Sequence, residues 1–486
     1  MKILASLENV DQCFESELNR DQIPAAKTFF YQQLALKAHQ WYKGKIQVMP
    51  RIPMLGFNWM NVWYTPGVSR ISTSIRDGQD ASFELSNRGN LVAVVTDSTR
   101  VLGDGDVTPP GGLGVMEGKA FLMKYLGAVD AVPLCMDSRN AAGEPDPSAI
   151  IDVVSRLQHS FGAINLEDIA HPNCYRVLDE LQTLCDIPVW HDDQQGTACV
   201  ILAGLINALR LAEKKMSQIK IVFIGAGAAN TTSYRMIRIA GGDPARMVMF
   251  DSKGSLNQDR KDIQSNPKLY RQWEICQQSN ASNIKSMEDA FINADVCISL
   301  SASGPGIIHP EWIQSMNTKA IVFACANPVP EIYPHEAKAA GAFIVATGRG
   351  DFPNQVNNSL CFPGLLKGAL KVRARKITDT MAIVCAQTIA DYALKKGIGP
   401  ESILSPMDDL ELFAFEAADI GMQAQKEGLA RKELSWEEIQ RQSQDEINDV
   451  HHLMKLFLHQ HADQLLPVTE IQIIFDEAIR KARSKE

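Results

Sequence analysis

Short apolar runs that end in polar or acidic residues alternate with helix-length segments through the middle of this 486-residue chain. Between residues 90 and 193 four of these runs read NLVAVVTD, AVDAVPLCMD, FGAINLED and IPVWHDD. Strands that are apolar along their whole length are buried on both faces, and helical connections make neighbouring strands parallel. The pattern therefore predicts an α/β fold with a parallel sheet covered by helices on both sides.

A second series of five runs lies within residues 219–350: IKIVFIGAG, ARMVMFDSKG, ADVCISLSAS, AIVFACANP and AFIVATGRG. The chain is therefore predicted to be α/β, with two doubly wound parallel-sheet domains, the C-terminal one of the Rossmann type. A helical N-terminal segment and a helical C-terminal tail flank them. The predicted divisions are 1–84 for the N-terminal segment, 85–191 plus 358–430 for the first sheet domain, 192–357 for the dinucleotide-binding domain and 431–486 for the tail.

The composition excludes several classes of protein. The formal net charge is −9, whereas proteins that bind nucleic acids or anionic membranes present basic surfaces. No apolar run reaches the roughly 18 residues that span a bilayer, and the first residues match neither a secretory signal nor an Arg-rich transit peptide. The ten cysteines form no CxxC pair, which favours buried free thiols over a zinc or disulfide framework. We expect a cytoplasmic protein with no nucleic-acid or membrane partner.

A strand followed by a glycine-rich turn predicts a dinucleotide site. The run IKIVFI leads into Gly225 and Gly227, a helical pattern follows, and the next strand ends at Asp251. The glycines permit a tight turn and a close approach of pyrophosphate to a helix N-terminus, where Ala228 and Ala229 lie. The third glycine position holds Asn230 instead, which affects how the helix packs on the strand. An ordinary strand-to-helix turn is the alternative interpretation.

The residues after the second strand bear on which dinucleotide is bound. Asp251 alone favours NAD, because a carboxylate there accepts hydrogen bonds from the ribose hydroxyls. Ser252 and Lys253 follow it, with Arg260 and Lys261 nearby, and these side chains supply the donors and positive charge that a 2′-phosphate requires. We therefore predict NADP as the preferred cofactor, with NAD possible. A solvated loop lysine is the alternative for Lys253.

Two acidic pairs stand at the ends of successive predicted strands, Glu167 with Asp168 and Asp192 with Asp193. In open α/β sheets ligands bind outside the carboxyl ends of the strands. Four carboxylates that converge there need a cation or protons to neutralise them. Oxygen ligands without a Cys/His pattern indicate a hard ion, Mg²⁺ or Mn²⁺. The alternative is that some of these acids are helix N-caps.

Read together, these motifs resemble the malic enzymes of the shorter subunit type. The resemblance runs from about residue 60 to 375 in consistent order. It rests on WYTPGVSR, NLVAVVTDSTRVLGDGD, GLGVMEGKAFLMK, INLEDIAHPNCY, IPVWHDDQQGTACVILAGLINAL, GAGAAN, DSKG, ANPVPEIYP and DFPNQVNNSLCFPGLLKGAL.

The resemblance implies roles for individual residues. Tyr64 in YTPG corresponds to the general acid and Lys119 in MEGK to the general base, with Asp192 orienting the lysine. Arg100 corresponds to a clamp on a substrate carboxylate, which suits a planar guanidinium. The remaining implied residues are the metal ligands Glu167, Asp168 and Asp193, and Asn327 and Asn357, which hold substrate and the nicotinamide ribose.

The resemblance also implies a reaction and an assembly. The reaction is the oxidative decarboxylation of L-malate to pyruvate and CO₂ with reduction of NADP, and the assembly is a homodimer. In that reaction a base takes the C2 hydroxyl proton, a divalent cation stabilises the enolate, and an acid protonates C3. A lysine between a cation and carboxylates has its pKa lowered towards that role.

Other functions stay open at this point. The same residues suit malolactic decarboxylation of malate to lactate with bound NAD. A catalytically idle nucleotide-binding regulatory protein is an alternative from another class, and an amino-acid dehydrogenase is disfavoured because it needs no carboxylate cluster. Two departures from the family pattern are Asp104 beside Arg100 and Asn230 in the glycine-rich turn. The four histidines of the tail are expected on a solvated or subunit-packing helix.

Overall fold

A computed structural model describes residues 5–101 and 103–484. These residues form two compact units, one of residues 52–448 and one of residues 5–51 and 449–484. The domain boundaries expected at residues 84, 191, 357 and 430 stay predictions.

The strands are β1 (Leu91–Thr96), β2 (Asp130–Cys135), β3 (Ala163–Leu166), β4 (Val189–His191), β5 (Ile221–Ile224), β6 (Met247–Asp251), β7 (Gly254–Ser255), β8 (Val296–Ser299), β9 (Ile321–Ala324) and β10 (Ile344–Thr347). The helices are α1 (Val10–Glu17), α2 (Ile23–Tyr42), α3 (Trp59–Trp63), α4 (Gly67–Asp77), α5 (Ser82–Leu85), α6 (Thr108–Gly111), α7 (Leu113–Gly127), α8 (Pro147–Leu157), α9 (Asn173–Leu184), α10 (Thr197–Ala212), α11 (Ala228–Ile239), α12 (Lys261–Gln264), α13 (Tyr270–Gln278), α14 (Met287–Phe291), α15 (Pro310–Gln314), α16 (Pro334–Ala339), α17 (Phe362–Lys371), α18 (Asp379–Lys396), α19 (Glu411–Lys426), α20 (Trp436–Gln460) and α21 (Val468–Arg483).

The larger unit contains two sheets. The first has the order β2-β1-β3-β4 and is parallel throughout. The second has the order β10-β9-β8-β5-β6-β7 and is parallel except at its edge, where the two-residue β7 pairs antiparallel with β6. All nine predicted strands are present, and the α/β class with a Rossmann-type second sheet is confirmed. The sequence did not indicate β7, because two residues are too few to show a period.

Helix α10 lies in the core of the larger unit. Most of its residues are fully buried, because its apolar side chains cover the whole circumference rather than one stripe. The segment Asp192–Ala212 is long and apolar enough to cross a membrane by length and composition. However, 78% of its most apolar window is buried inside the protein, which is the environment of a core helix.

The smaller unit joins the two ends of the described chain. Helices α1, α2 and α21 share one apolar core. The rings of Phe14 and Phe475 have centroids 4.7 Å apart, and Phe30 lies 5.7 Å from Phe14. The N-terminal segment and the tail were predicted only as separate helical regions, so their shared core is a finding of the structure.

A buried lysine attaches α17 to α20 within the larger unit. The Lys367 ammonium is fully buried and is paired with Glu446, which also pairs with Lys371 at 2.6 Å. It lies 3.3 Å from the Asn90 side-chain oxygen as well. Burial lowers the pKa of Lys367 to about 8, although the Glu446 carboxylate opposes that shift.

The first prediction concerns this pair. Glu446→Gln leaves Lys367 charged and buried without its ionic partner. We expect the free energy of unfolding to fall by roughly 2 kcal/mol at pH 7, less than for a fully buried pair because Glu446 is 45% exposed. Above pH 8 the folded state releases the Lys367 proton while the unfolded state keeps it, so the loss shrinks as pH rises towards 10.

Chemical denaturation at pH 7, 8 and 9 measures this effect. Arg441→Gln on the same helix is the control, because Arg441 and Asp445 form an exposed pair, and it is expected to change stability little at any of these pH values. A loss for Glu446→Gln that is equal at all three pH values would contradict the assignment to Lys367.

Candidate active site

The two acidic pairs meet at one edge of the first sheet. β3 and β4 are parallel neighbours in register, so the chain leaves both strands on the same side. Glu167 and Asp168 follow β3 directly, and Asp192 and Asp193 follow β4. One carboxylate oxygen from each of Glu167, Asp168 and Asp193 lies within 4.8 Å of the others. The structure therefore brings the predicted carboxylates together.

Lys119 on α7 supplies positive charge to this cluster. Its ammonium donates a short hydrogen bond to the Asp192 carboxylate and lies 3.2 Å from the carboxylate of Glu167. It donates to the side-chain oxygen of Asn358 at 3.2 Å and lies 4.7 Å from the centre of the Phe362 ring. Only 12% of the lysine side chain is exposed. The like charges after β4 are thus stabilised in part by a lysine from a distant helix.

One ammonium group cannot neutralise four carboxylates, and three of them, Glu167, Asp168 and Asp193, suit a hard cation. Oxygen ligands 2.0–2.6 Å from one ion lie at most about 5 Å apart, and the observed limit of 4.8 Å meets this condition. Asp168 adopts a left-handed backbone with φ of 52°, which is uncommon for a residue with a side chain. Its backbone N–H donates to the Asp193 carboxylate at 2.7 Å. Glu167, Asp168 and Asp193 therefore fit a Mg²⁺ or Mn²⁺ site.

Burial dominates the electrostatics of the cluster. It raises the pKa of Glu167, Asp192 and Asp193, and the charge of Lys119 offsets only part of that rise. For Lys119 burial acts in the opposite direction, but the carboxylates outweigh it and hold the pKa above its ordinary value. This rise in the pKa of Lys119 is opposite to the lowering that the sequence analysis expected for a lysine between a cation and carboxylates.

The turn after β4 explains the sequence HDDQQG. Residues Asp192–Gly196 form one turn of π-helix before α10. A Cβ at Gly196 would lie 2.0 Å from the Asp192 carboxylate oxygen, so only glycine fits there. The Trp190 indole N–H donates to that same oxygen at 3.2 Å. Asp192 is thus held from two sides while its other oxygen accepts from Lys119.

Arg100 and the Asn357–Asn358 pair lie around the cluster. The Arg100 backbone N–H donates to the Asp168 carbonyl at 3.0 Å, and its charge acts on Asp193. The Asn357 side chain caps the following short helix by accepting from Ser359 at 2.9 Å. Asn358 is the residue that contacts Lys119. The sequence analysis assigned a role to Asn357 and missed Asn358, since only a long-range contact distinguishes these neighbours.

Two other predicted site residues are exposed. Tyr64 follows α3 and is 65% exposed. Within the part of the chain that the structure describes, its hydroxyl forms no hydrogen bond with the cluster. Asn327 follows β9 and is also exposed, and Gly348 leaves room for its side chain, because a Cβ there would lie 3.0 Å from the amide nitrogen. The roles assigned to both stay predictions.

The glycine-rich turn has the backbone that the nucleotide motif requires. Gly225 has a φ of 97°, and a Cβ on it would lie 2.5 Å from the Leu300 carbonyl oxygen. Gly227 precedes α11, with no protein atom within 4 Å of the position of its missing Cβ. Ala228 and Ala229 form the first turn of that helix and are partly exposed. The turn thus offers an open helix N-terminus, which favours a phosphate group.

Asn230 replaces the third glycine and is fully buried. Its side-chain amide donates to the carbonyls of Ile224 and Gly225, both at 2.9 Å. These two carbonyls end β5 and begin the turn. The amide therefore connects the helix to the strand, where a glycine would achieve only close packing.

Asp251 at the end of β6 is already paired. Arg260 donates to its two carboxylate oxygens at 2.9 and 2.6 Å, and the Lys253 backbone N–H donates to it at 2.8 Å. The Lys253 side chain is 70% exposed and lies 3.3 Å from Asp262. Ser252 is exposed beside it. The acidic residue that would favour NAD is thus neutralised by an arginine, with a lysine and a serine at the surface.

A Rossmann-type sheet in the same unit as a buried lysine and carboxylate cluster is the architecture of a two-sheet enzyme that binds a dinucleotide. Comparison with known families agrees. The family model for the malic enzyme N-terminal domain matches residues 43–182, and the model for the malic enzyme NAD binding domain matches residues 194–425. The chain belongs to the malic enzyme family.

Individual relatives support this membership. The chain is 40% identical over 391 residues to the NAD-dependent malic enzyme of Geobacillus stearothermophilus, covering 80% of this chain and 78% of that protein. It is 38% identical to the bifunctional malic/malolactic enzyme of Bacillus subtilis, covering 83% and 96% respectively. The crystal structure of the Entamoeba histolytica malic enzyme superposes with a TM-score of 0.96 at 56% identity, covering 99% of this chain and 100% of that one. Other relatives are named NADP-dependent malic enzymes.

The second prediction tests the amide of Asn230. Asn230→Ala removes two buried hydrogen bonds and leaves two carbonyls without that donor, so we expect a loss of about 1–3 kcal/mol in the free energy of unfolding. Asn230→Asp keeps the shape but turns an acceptor towards the same carbonyls, and we expect it to lose at least as much. Thermal and chemical denaturation measure both variants. Equal stability of Asn230→Asp and the parent protein would show that the amide does not hold the turn.

Proposed function

We propose that the protein catalyses the divalent-metal-dependent oxidative decarboxylation of L-malate to pyruvate and CO₂, with reduction of NADP. The observation that carries the proposal is the cluster of Lys119, Glu167, Asp168, Asp192 and Asp193 at one sheet edge. A catalytically idle protein has no need of a buried lysine among four carboxylates, because such a cluster costs free energy to fold.

Each side chain of the site has a separate role in the proposed reaction. In its neutral form Lys119 accepts the C2 hydroxyl proton of malate as a hydride passes from C2 to the nicotinamide, and Asp192 and Asn358 hold its amine in place. The carboxylates alone hold the pKa of Lys119 above its ordinary value, and a divalent cation held by them would oppose that rise. Arg100 binds a substrate carboxylate through paired hydrogen bonds. Tyr64 gives its phenolic proton to C3 after CO₂ has left. When bound by Glu167, Asp168 and Asp193, Mg²⁺ or Mn²⁺ supplies a Lewis acid that stabilises negative charge developing on the substrate oxygen.

The third prediction tests the base and the metal together. With L-malate, Mn²⁺ and NADP, we expect absorbance to rise at the reduced-nicotinamide band, and excess chelator to abolish the rise. Lys119→Met is expected to lower kcat by about 10³-fold, the usual contribution of a general base. Lys124→Met on the same helix is the matched control, because Lys124 pairs with Asp130 outside the cluster.

Three outcomes would contradict the proposal. Turnover that survives the chelator would remove the metal requirement. Unchanged turnover of Lys119→Met would remove Lys119 as the base. Formation of lactate without a change in absorbance would favour malolactic decarboxylation, the second activity in the name of the Bacillus subtilis relative.

The preference for NADP rests on the charges after β6. Because Arg260 already holds the Asp251 carboxylate, Asp251 repels a 2′-phosphate less, and Lys253 and Ser252 are exposed to bind it. The fourth prediction is that Lys253→Gln lowers kcat/KM for NADP about 10-fold, the cost of one charged hydrogen bond. For NAD we expect little change.

Lys319→Gln is the matched control for this test, because Lys319 pairs with Glu213 at 3.1 Å and precedes β9, at the end of the sheet opposite the glycine-rich turn. Steady-state rates with each cofactor measure both variants. If Lys253→Gln lowers kcat/KM equally for NADP and NAD, or if the parent protein prefers NAD, then Lys253 does not select NADP. Neither result would change the proposed reaction class.

We further propose a homodimer in which Tyr64 enters the site of the second copy. The segment around Tyr64 is apolar and exposed: Phe57 is 86% exposed, and Leu55 and Val62 are more than half exposed. Contiguous exposed apolar residues mark an interface, and among the described residues the Tyr64 hydroxyl forms no hydrogen bond with the Lys119 cluster of its own chain.

The fifth prediction follows from this arrangement. Tyr64→Phe and Lys119→Met homodimers are each expected to be nearly inactive. After they are mixed and the subunits exchange, a mixed dimer has one site with both native residues if Tyr64 crosses the interface. About a quarter of the parent activity should then return, since half the dimers are mixed and each has one complete site. A mixture that exchanges subunits and stays inactive would place Tyr64 in the site of its own chain.

A further inference from the structure

Glu331 is a buried carboxylate that the proposed reaction does not use. It lies between β9 and α16, and its side chain is fully buried. One carboxylate oxygen accepts hydrogen bonds from the Ser299 hydroxyl at 2.7 Å and from the Ser301 backbone N–H at 3.0 Å. The other oxygen accepts from the Ala326 backbone N–H at 3.0 Å. The carboxylate therefore connects the end of β8 and the segment after it to the segment after β9.

These contacts suit an ionised carboxylate. Both oxygens accept, and the Ser301 hydroxyl is a further donor at 3.3 Å, whereas a protonated carboxyl group would have to donate its proton to an acceptor. Burial raises the pKa of Glu331, and the hydrogen bonds from Ala326 and Ser299 oppose that rise. A buried charge is costly unless hydrogen bonds satisfy it, so these donors compensate part of the cost of burying Glu331.

The segment after β8 lies beside the crevice where a dinucleotide binds. β8 and β6 flank β5 on opposite sides, so the direction in which the chain adds strands reverses between β5 and β8. In open α/β sheets that reversal marks the ligand crevice, at the carboxyl ends of the strands. The segment also packs against the glycine-rich turn, because a Cβ at Gly225 would lie 2.5 Å from the Leu300 carbonyl oxygen and 3.3 Å from the Ser301 Cα.

The segment after β9 carries a predicted site residue. Asn327, for which the sequence predicts a contact with substrate and the nicotinamide ribose, directly follows Ala326. A Cβ at Gly103, in the loop that begins at Arg100, would lie 3.0 Å from the Asn327 carbonyl oxygen. This segment therefore packs closely against the loop of the predicted substrate clamp. A displacement of Ala326 would move Asn327 with it.

We propose that Glu331 is a positioning residue for the dinucleotide, because its carboxylate holds the segments after β8 and β9 in the arrangement that the nicotinamide end of the cofactor requires. It acts through Ser301 and Ala326 and does not itself touch the cofactor, since it is fully buried and its oxygens accept from those segments. The inference rests on the proposed function for the cofactor and for the role of Asn327.

Binding of a reduced dinucleotide to the full chain tests the proposal. NADPH and NADH are titrated in turn, without malate or metal, and nicotinamide fluorescence gives the dissociation constant of the one that binds more tightly. Glu331→Gln replaces one acceptor oxygen with an amide group that cannot accept a hydrogen bond, and we expect it to raise the dissociation constant about 10-fold. Ser299→Ala removes one donor and leaves the carboxylate in place, so we expect a smaller rise of about 3-fold.

Asp295→Asn is the matched control. Asp295 is buried just before β8, at the opposite end of that strand, and accepts from the Lys220 backbone N–H at 2.8 Å and from the Asn317 amide at 3.0 Å. We expect this variant to lower the Tm, as Glu331→Gln does, and to leave the dissociation constant unchanged. Thermal unfolding of each variant therefore separates positioning of the cofactor from a general loss of stability.

Two results would overturn the proposal and leave Glu331 as a residue of the fold alone. One is a folded Glu331→Gln protein that binds the dinucleotide as tightly as the parent. The other is an Asp295→Asn protein that binds it as weakly as Glu331→Gln. If Glu331→Gln does not fold, Ser299→Ala decides by the same two comparisons. A parent protein that binds the dinucleotide but does not oxidise malate would contradict the proposed function alone, because the binding test needs no turnover.

Discussion

The buried ion pair between Lys119 and Asp192 is the interaction on which the site depends. Either charge alone in that position would be strongly destabilising, so α7 and the turn after β4 have to be placed together. The amine also contacts Glu167 and Asn358. One ammonium group therefore fixes the relative position of α7, two strand ends and the chain after β10.

The first sheet and the turn after β4 position the carboxylates that surround this lysine. The register of β3 and β4 brings four carboxylates to one edge, and the π-turn with Gly196 lets the Asp192 carboxylate lie against the backbone of its own turn. Lys119 neutralises part of the charge, and the left-handed Asp168 helps bring the remaining oxygens together. The arrangement concentrates negative charge where a divalent cation would bind, which is consistent with membership of the malic enzyme family.

The sequence predicted the α/β class and nine strands because a parallel strand that is buried on both faces is a continuous apolar run. It also placed the carboxylates at strand ends, since the position of an acidic residue relative to the end of its own strand is a local feature. Asn358, the pairing of Asp251 with Arg260 and the shared core of the two chain ends depend on contacts between distant residues. Sequence spacing carries no signal for such contacts. The proximity of Cys199, Cys361 and Cys385 was hidden for the same reason, because these cysteines lie 162 and 24 residues apart in the sequence.

The position of a bound cation is the most direct test of the account. Crystals of the protein grown with Mn²⁺ would be measured near the manganese absorption edge, where anomalous scattering locates the metal independently of the protein phases. The account predicts a strong peak between the carboxylates of Glu167, Asp168 and Asp193, within about 2.3 Å of an oxygen from each. A peak elsewhere, or none at this edge of the sheet in crystals that contain manganese, would contradict it.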